Sequence, residues 1–396
     1  MIQVFSRRVA NLGRFALAVS GGADSMCMTL LCHQLGLKPM VLVVDHKLRD
    51  ESSDEANFVK CYVEETFNFE ARILTWNRDE DVTSNIQSRA RDARYSLLTV
   101  ECKQLGIENL CTAHNKNDQA ETVLMNIMRG TGIDGLVGIR ENSTLNGINI
   151  VRPMLEYSRD EIENYLRLYN TTWINDPSNE SDKYERVKIR RFMKAISDSD
   201  LVNREFFISR LNLLCQNVRR SHEFIDRYVA KKIDEICEFF YLNIVTIDIT
   251  QLMVEDQEVI LRILRKILMI VGDKKYCVRY ESLKKLNEKL TETKDFCTTL
   301  GGCIIWNGYQ NGKNLLVFCK EVINNQHKIA KNEIKALQKA FCEGQSQYIV
   351  YDYDIYYKAQ KMVANVPKAY KVLSCVDYEF IDGWEFFHSL GIARKY

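Results

Sequence analysis

The segment that most constrains this chain is Ser20-Gly21-Gly22-Ala23-Asp24-Ser25. It lies between a continuous apolar run at 15–19 and a helical pattern at 24–35 that stops at Gly36. Two adjacent glycines let the backbone turn tightly and come close to a ligand. Where such a turn opens a helix, successive N–H groups converge on one concavity, a place suited to phosphate. Asp24 cannot hold phosphate directly, since both are anionic. A carboxylate there predicts Mg²⁺ bridging phosphate oxygens. The loop is not a Walker A sequence, which requires Gly-Lys followed by Ser or Thr.

The surrounding pattern predicts what carries this loop. Apolar runs at 15–19, 40–45, 71–76, 109–113 and 150–152 are continuous, not alternating. That suits strands of a parallel sheet buried on both faces. Helical patterns fall between them at 24–35, about 53–67, and from Ser84, with Gln87 completing a capping box, to Gly106. The fold class is therefore α/β, a doubly wound parallel sheet of five strands, which binds ligands at the carboxyl ends of its strands.

After Pro153 the pattern changes. Ser158 and Glu161 form a second capping box, and residues 200–290 read as mostly helical, with an amphipathic run at 254–271. Apolar segments at 301–306 and 315–319 flank Asn307-Gly-Tyr-Gln-Asn-Gly312, a β-hairpin signal. The expected domains are 1–195, carrying the loop; 196–322, mainly helical and ending in the hairpin; and a small α+β tail, 323–396.

Charge follows this division. The chain of 396 residues has net charge +1, but 1–200 hold 25 Lys/Arg against 29 Asp/Glu, net −4, and 201–396 hold 29 against 24, net +5. A uniformly basic nucleic-acid coat is excluded. The 13 Cys include no C-x-x-C pair, which argues against zinc knuckles and thioredoxin-like sites and for reduced thiols. No window approaches the ~20 apolar residues of a membrane span, so no membrane partner and a cytoplasmic location are expected.

Two further constellations bear on chemistry. Gly130-Thr131-Gly132-Ile-Asp-Gly135 fits G-x-G-x-x-G, but a helical stripe of Ala120, Val123, Leu124, Ile127 and Met128 precedes it where a dinucleotide site needs a strand. The same helix begins after His114 and places Asp118 and Glu121 three residues apart, on one face. These groups suit a metal ion or a cationic substrate; acids at a helix N-terminus are also favoured by its dipole alone. Lys183, Arg186, Lys188, Arg190, Arg191 and Lys194 crowd around Glu185, a run suited to phosphate contacts or to a solvated helix face.

The Ser20–Ser25 loop resembles the S-G-G-x-D-S loop of the PP-loop ATP pyrophosphatases. Further stretches narrow the resemblance to the tRNA(Ile)-lysidine synthetase family. They are Val44-Asp45-His46-Lys47-Leu48-Arg49, Ala90-Arg91-Asp92-Ala93-Arg94-Tyr95, Ala113-His114 through Thr122, Arg129-Gly130-Thr131-Gly132, Val151-Arg152-Pro153-Met154-Leu155, and Trp173 to Asn179. They occur in the family's order over about 20–195, and 200–320 resembles its first C-terminal domain. Two positions depart: Asn117 replaces the first acid of D-D-Q, leaving an uncharged cap, and Val187 stands where the family has Asn.

The resemblance implies an ATP-dependent ligase that joins L-lysine to C2 of the wobble cytidine in tRNA(Ile) with a CAU anticodon. Cytosine O2 would attack the α-phosphate of ATP, releasing pyrophosphate; the lysine ε-amine would then attack C2 and displace AMP. Ser20, Gly21, Gly22, Ala23, Asp24, Ser25, Asp45, His46, Arg129, Gly130, Thr131 and Gly132 would bind the nucleotide, and Asp24 the Mg²⁺. His114, Asp118 and Glu121 are candidates for the base or the lysine site, and Arg186 and Arg190 for contacts to phosphate or substrate. A homodimer is compatible with the resemblance. Two alternatives stay open: another PP-loop tRNA-modifying enzyme, such as a thiolase, and a tRNA-binding module with an inactive loop.

Overall fold

A computed structural model describes residues 1–47, 51–77, 86–174, 185–198, 203–240, 244–273, 278–292, 296–310 and 312–321. Leu48, Arg49, Ser84, Lys183, the loop residues 175–179 and the expected tail 323–396 lie outside the described residues. The chain divides into two compact units, Met1–His222 and one beginning at Glu223.

The first unit runs α1 (Ile2–Val9), β1 (Phe15–Ala18), α2 (Ala23–Gln34), β2 (Met40–Asp45), α3 (Ser52–Phe67), β3 (Ala71–Thr75), α4 (Ile86–Gln104), β4 (Asn109–Cys111), α5 (Lys116–Met128), α6 (Ile133–Leu136), β5 (Asn142–Leu145), β6 (Ile148–Val151), α7 (Arg159–Leu168), α8 (Glu185–Asp198) and the first part of α9 (Arg204–Ile236). The sheet order is β3-β2-β1-β4-β6-β5. Five strands are parallel, as the apolar runs predicted. The sixth, β5, pairs antiparallel with β6 and corrects the five-strand expectation. Its signal was present: Asn146-Gly147, both at positive φ, is the sequence that a tight hairpin turn requires.

Alternation along β1 fixes both faces of the sheet. Phe15 and Leu17 join the core formed with α1, α2, α3 and α7, including Phe5, Met26, Leu31, Val63 and Ile162. Ala16 joins Leu42, Leu110 and Ile150 under Tyr95, Leu98 and Cys102 of α4. Each fully buried Leu or Ile contributes roughly 1.5–3 kcal/mol of hydrophobic free energy. Because β2 pairs with one edge of β1 and β4 with the other, the connections diverge between β1 and β4. Their carboxyl ends open a crevice there.

In the second unit, the sequence predicted helices closing in a hairpin; the structure has a five-stranded antiparallel sheet. After α9 come β7 (Cys237–Phe240), β8 (Ile244–Asp248), α10 (Ile249–Leu252), α11 (Gln257–Gly272), α12 (Tyr280–Glu292), β9 (Cys297–Leu300), β10 (Cys303–Gln310) and β11 (Lys313–Lys320). The sheet order is β7-β8-β11-β10-β9. The hairpin is β10–β11, whose pairing runs on through Gln310↔Lys313 and so includes residues first read as its turn. Ile260, Leu264, Ile267 and Val271 repeat at helical spacing on α11 and pack with Ile247, Ile305, Leu316 and Phe318 of the sheet. The strands β7 and β8 are short apolar runs that periodicity alone does not separate from a continuing helix.

Candidate active site

The loop sits as predicted, between β1 and α2. Gly21 has φ +82, and a Cβ built there would lie 2.6 Å from Val59 Cγ2 and 3.1 Å from Ile174 Cδ1. Its carbonyl accepts from Ile174 N at 2.9 Å. Gly22 is the N-cap of α2 and offers no side chain to the first-turn N–H groups. Those donors are the ones a phosphate would satisfy. The serines close the loop on itself: Ser25 Oγ donates to Gly22 O at 2.9 Å and accepts from Ser20 N at 3.2 Å.

Half-buried Asp24 and buried Asn115 join the two helix starts. Asn115 Nδ2 donates to Asp24 Oδ1 at 2.8 Å. Asn115 Oδ1 caps α5, accepting from Asn117 N and Asp118 N at 2.9 Å each. Asp118 Oδ2 accepts from Asn115 N at 3.1 Å, completing a capping box. The cap is therefore Asn115, not Asn117 as first read. Asn117 Oδ1 instead accepts from Arg159 N, at the start of α7, at 3.0 Å.

Burial pushes the Asp24 carboxyl up to about 6; the Asn115 bond opposes this, Asp118 adds to it, and Arg159 and Arg190 oppose it. Further along α5, buried Glu121 pairs with Arg190 of α8, Nε to Oε1 at 2.6 Å, while its Oε2 has no hydrogen-bond partner. Burial raises the Glu121 carboxyl, and Arg190 opposes that. Asp24 Oδ2 carries no hydrogen bond among the described residues. One free carboxylate oxygen beside an uncapped helix start fits Mg²⁺, which takes one or two carboxylates and completes its shell from phosphates and water.

A second group faces His114. Its Nδ1 lies 3.1 Å from Thr112 Oγ1. Burial holds the imidazole well below its usual range, and Arg152, Arg91, Arg94 and Arg186 all push it the same way. His46, at the end of β2, is also lowered by burial and then by Arg94; its Nδ1 is buried without a partner, and Trp76 lies edge-on at 6.2 Å. Asp45 has both oxygens engaged, Oδ1 from Lys47 N at 2.9 Å and Oδ2 from Ser53 Oγ at 2.7 Å, so it ties the end of β2 to the first turn of α3.

The structure brings Asp24, His114, Asp118, Glu121, Arg186 and Arg190 into one electrostatic neighbourhood. It does not bring Arg129, Gly130, Thr131 and Gly132 to the loop. They follow the far end of α5, roughly 18–20 Å along its axis from Asn115. The sequence motifs do not single out Asn115, Arg91, Arg94, Arg152 and Arg159 as site residues. Asn115 carried a signal, standing immediately before a helical pattern as a favoured N-cap type. The arginines meet only in the tertiary structure.

A parallel sheet whose first strand runs into this loop defines the class: residues 2–196 match the family model of the PP-loop domain. The chain is 36% identical to a tRNA(Ile)-lysidine synthase of Wolbachia pipientis wMel over 327 residues, 80% of this chain and 74% of that protein. It is equally similar, at 36%, to the tRNA(Ile)-lysidine synthase of Wolbachia sp. subsp. Brugia malayi (strain TRS), over 74% of this chain and 68% of that protein. The protein of that name from Anaplasma marginale (strain St. Maries) matches at 36% over 74% of this chain and 62% of its own length. The chain belongs to the tRNA(Ile)-lysidine synthase family.

Proposed function

We propose that this chain uses ATP to attach L-lysine to C2 of the wobble cytidine of tRNA(Ile) bearing a CAU anticodon. The observation that carries this reading is the meeting of the α2 and α5 starts. It sets the Asp24, Asp118 and Glu121 carboxylates beside arginines grouped around His114.

The division of charge supports a division of labour. The uncapped start of α2 and the guanidinium groups of Arg91, Arg94, Arg152 and Arg186 suit the polyphosphate of ATP, stabilising charge as pyrophosphate leaves. Asp24 would hold Mg²⁺, which supplies charge neutralisation at the phosphates when bound. The Glu121 Oε2 acceptor suits the lysine ammonium, and its raised carboxyl suits removal of the proton that must leave before the amine attacks. A neutral His114 can accept a hydrogen bond without adding to the local positive charge. Residues 1–195 would form the catalytic domain and 196–322 would carry the tRNA. Supporting this is the exposed Phe206, stacked under Arg210 at 4.5 Å on α9. No helix among the described residues is long and apolar enough to cross a membrane. The sequence holds no C-x-x-C pair, and the cytoplasm is the compartment such an enzyme would occupy.

The test is incorporation of labelled lysine into transcripts with purified protein, ATP and Mg²⁺. Label in tRNA(Ile) with the CAU anticodon, absent from tRNA(Met) and absent without ATP, is expected. No transfer at any Mg²⁺ concentration overturns the proposal.

A further inference from the structure

We propose that Asn115 is a positioning residue for Asp24: its side-chain amide holds one carboxylate oxygen and so presents the other to the metal–nucleotide complex. The inference rests on the reading of Asp24 given above. Asn115 is 3% exposed, and its orientation is fixed from one side. Its Oδ1 accepts two N–H groups of the α5 first turn, so its Nδ2 must face away from that helix, and Asp24 Oδ1 lies there at 2.8 Å. A side chain that only capped α5 would need no donor. Ser and Asp cap helices about as well as Asn, yet Ser is too short to span to Asp24 and an ionised Asp has no proton to donate. The amide meets both demands at once, with an acceptor for the helix and a donor for the carboxylate.

The same bridge sets the spacing of the acids. Asn115 N–H donates to Asp118, and Asp118 lies close enough to Asp24 to raise its carboxyl further. Two acids that repel each other are thus tied through one residue. Asn117 continues the chain of contacts by accepting from Arg159 N, so the starts of α2, α5 and α7 are linked through the side chains of Asn115 and Asn117 and the backbone between them. A shift of about 1 Å in a reacting group can cost on the order of 100-fold in rate, which is the scale of effect expected here.

The experiment compares Asn115→Ser, Asn115→Ala and Asp24→Ala in the full chain with its tRNA. It measures tRNA-dependent pyrophosphate release, affinity for Mn²⁺ with a non-hydrolysable ATP analogue by electron paramagnetic resonance, and melting temperature. Asn115→Ser keeps the cap, so its melting temperature should match the wild type, while kcat falls roughly 10- to 100-fold and Mn²⁺ affinity weakens several-fold. Asn115→Ala should lose the same function and also melt lower. Adding Asn115→Ser to Asp24→Ala should cause no further loss of Mn²⁺ affinity. Wild-type kcat and Mn²⁺ affinity in Asn115→Ser, with Asp24→Ala inactive, would show that Asn115 is only a cap and overturn the inference alone. Full activity in Asp24→Ala would overturn the underlying reading of Asp24. If Asn115→Ser melts early, Asn115→Asp, which also caps, takes its place with the same expected losses of kcat and Mn²⁺ affinity.

Discussion

The carboxylate side and the guanidinium side of the site lie on neighbouring residues and are built in opposite ways. Each acid is tied to a specific partner: Asp24 to Asn115, Asp118 to the α5 cap, Glu121 to Arg190. On the other side, Arg152, Arg91, Arg94 and Arg186 all act on His114 with one sign. The acids are restrained and keep free oxygens; the arginines concentrate positive charge. The contrast teaches which side awaits which substrate. A concentrated positive field is favourable once a polyanion enters, whereas a restrained acid is ready for a cation of defined position.

The comparison breaks most visibly at Asp24. Asp24→Asn should lower pyrophosphate release by at least about 1,000-fold and leave tRNA binding nearly unchanged, measured by release assay and filter binding. The same substitution should stabilise the fold near pH 7.5. A carboxyl raised from 3.8 to about 6 in the folded state disfavours its own ionisation. Its destabilising effect is therefore full above about pH 6 and disappears below about pH 4. The shift corresponds to at most about 3 kcal/mol, so a rise of several degrees in melting temperature is expected. No pH dependence of that gain would refute the burial account.

A smaller effect is expected at the Glu121–Arg190 pair. Arg190→Met leaves a buried carboxylate without its partner, which should lower stability by about 2–4 kcal/mol in urea titration. Adding Glu121→Gln should recover part of that loss. Recovery of none would mean that Arg190 acts through other contacts.

The smallest effect belongs to Asn117→Asp. Both side chains can accept the Arg159 N–H, so lysine transfer should stay within about twofold. A tenfold change would show that charge at this position matters.

The parallel sheet and the Ser20–Ser25 loop were legible in the sequence because both rest on local rules. Buried parallel strands read as unbroken apolar runs, and a phosphate-binding turn needs glycines and polar residues in fixed order. The antiparallel strand β5 was missed although Asn146-Gly147 announced it. The sheet of the second unit was harder, because β7 and β8 are runs of four and five residues with no flanking turn dipeptide. In the site, the acids were legible from their spacing on α5. The arginines around His114 were not, since α4, the residue after β6 and α8 bring them together across 95 residues of chain. Asn117 was assigned a capping role that its neighbour Asn115 performs; two asparagines two residues apart offer the same chemistry, and only geometry separates them.

Gly21 carries one more consequence. Its neighbours Val59 and Ile174 leave no room for a Cβ, and its φ is one that L side chains rarely adopt. Every single-base change that replaces a glycine by another amino acid adds a side chain. In mutational terms Gly21 therefore has no tolerated neighbour, and a descendant of this gene can replace it only after α3 and the segment around Ile174 have moved apart.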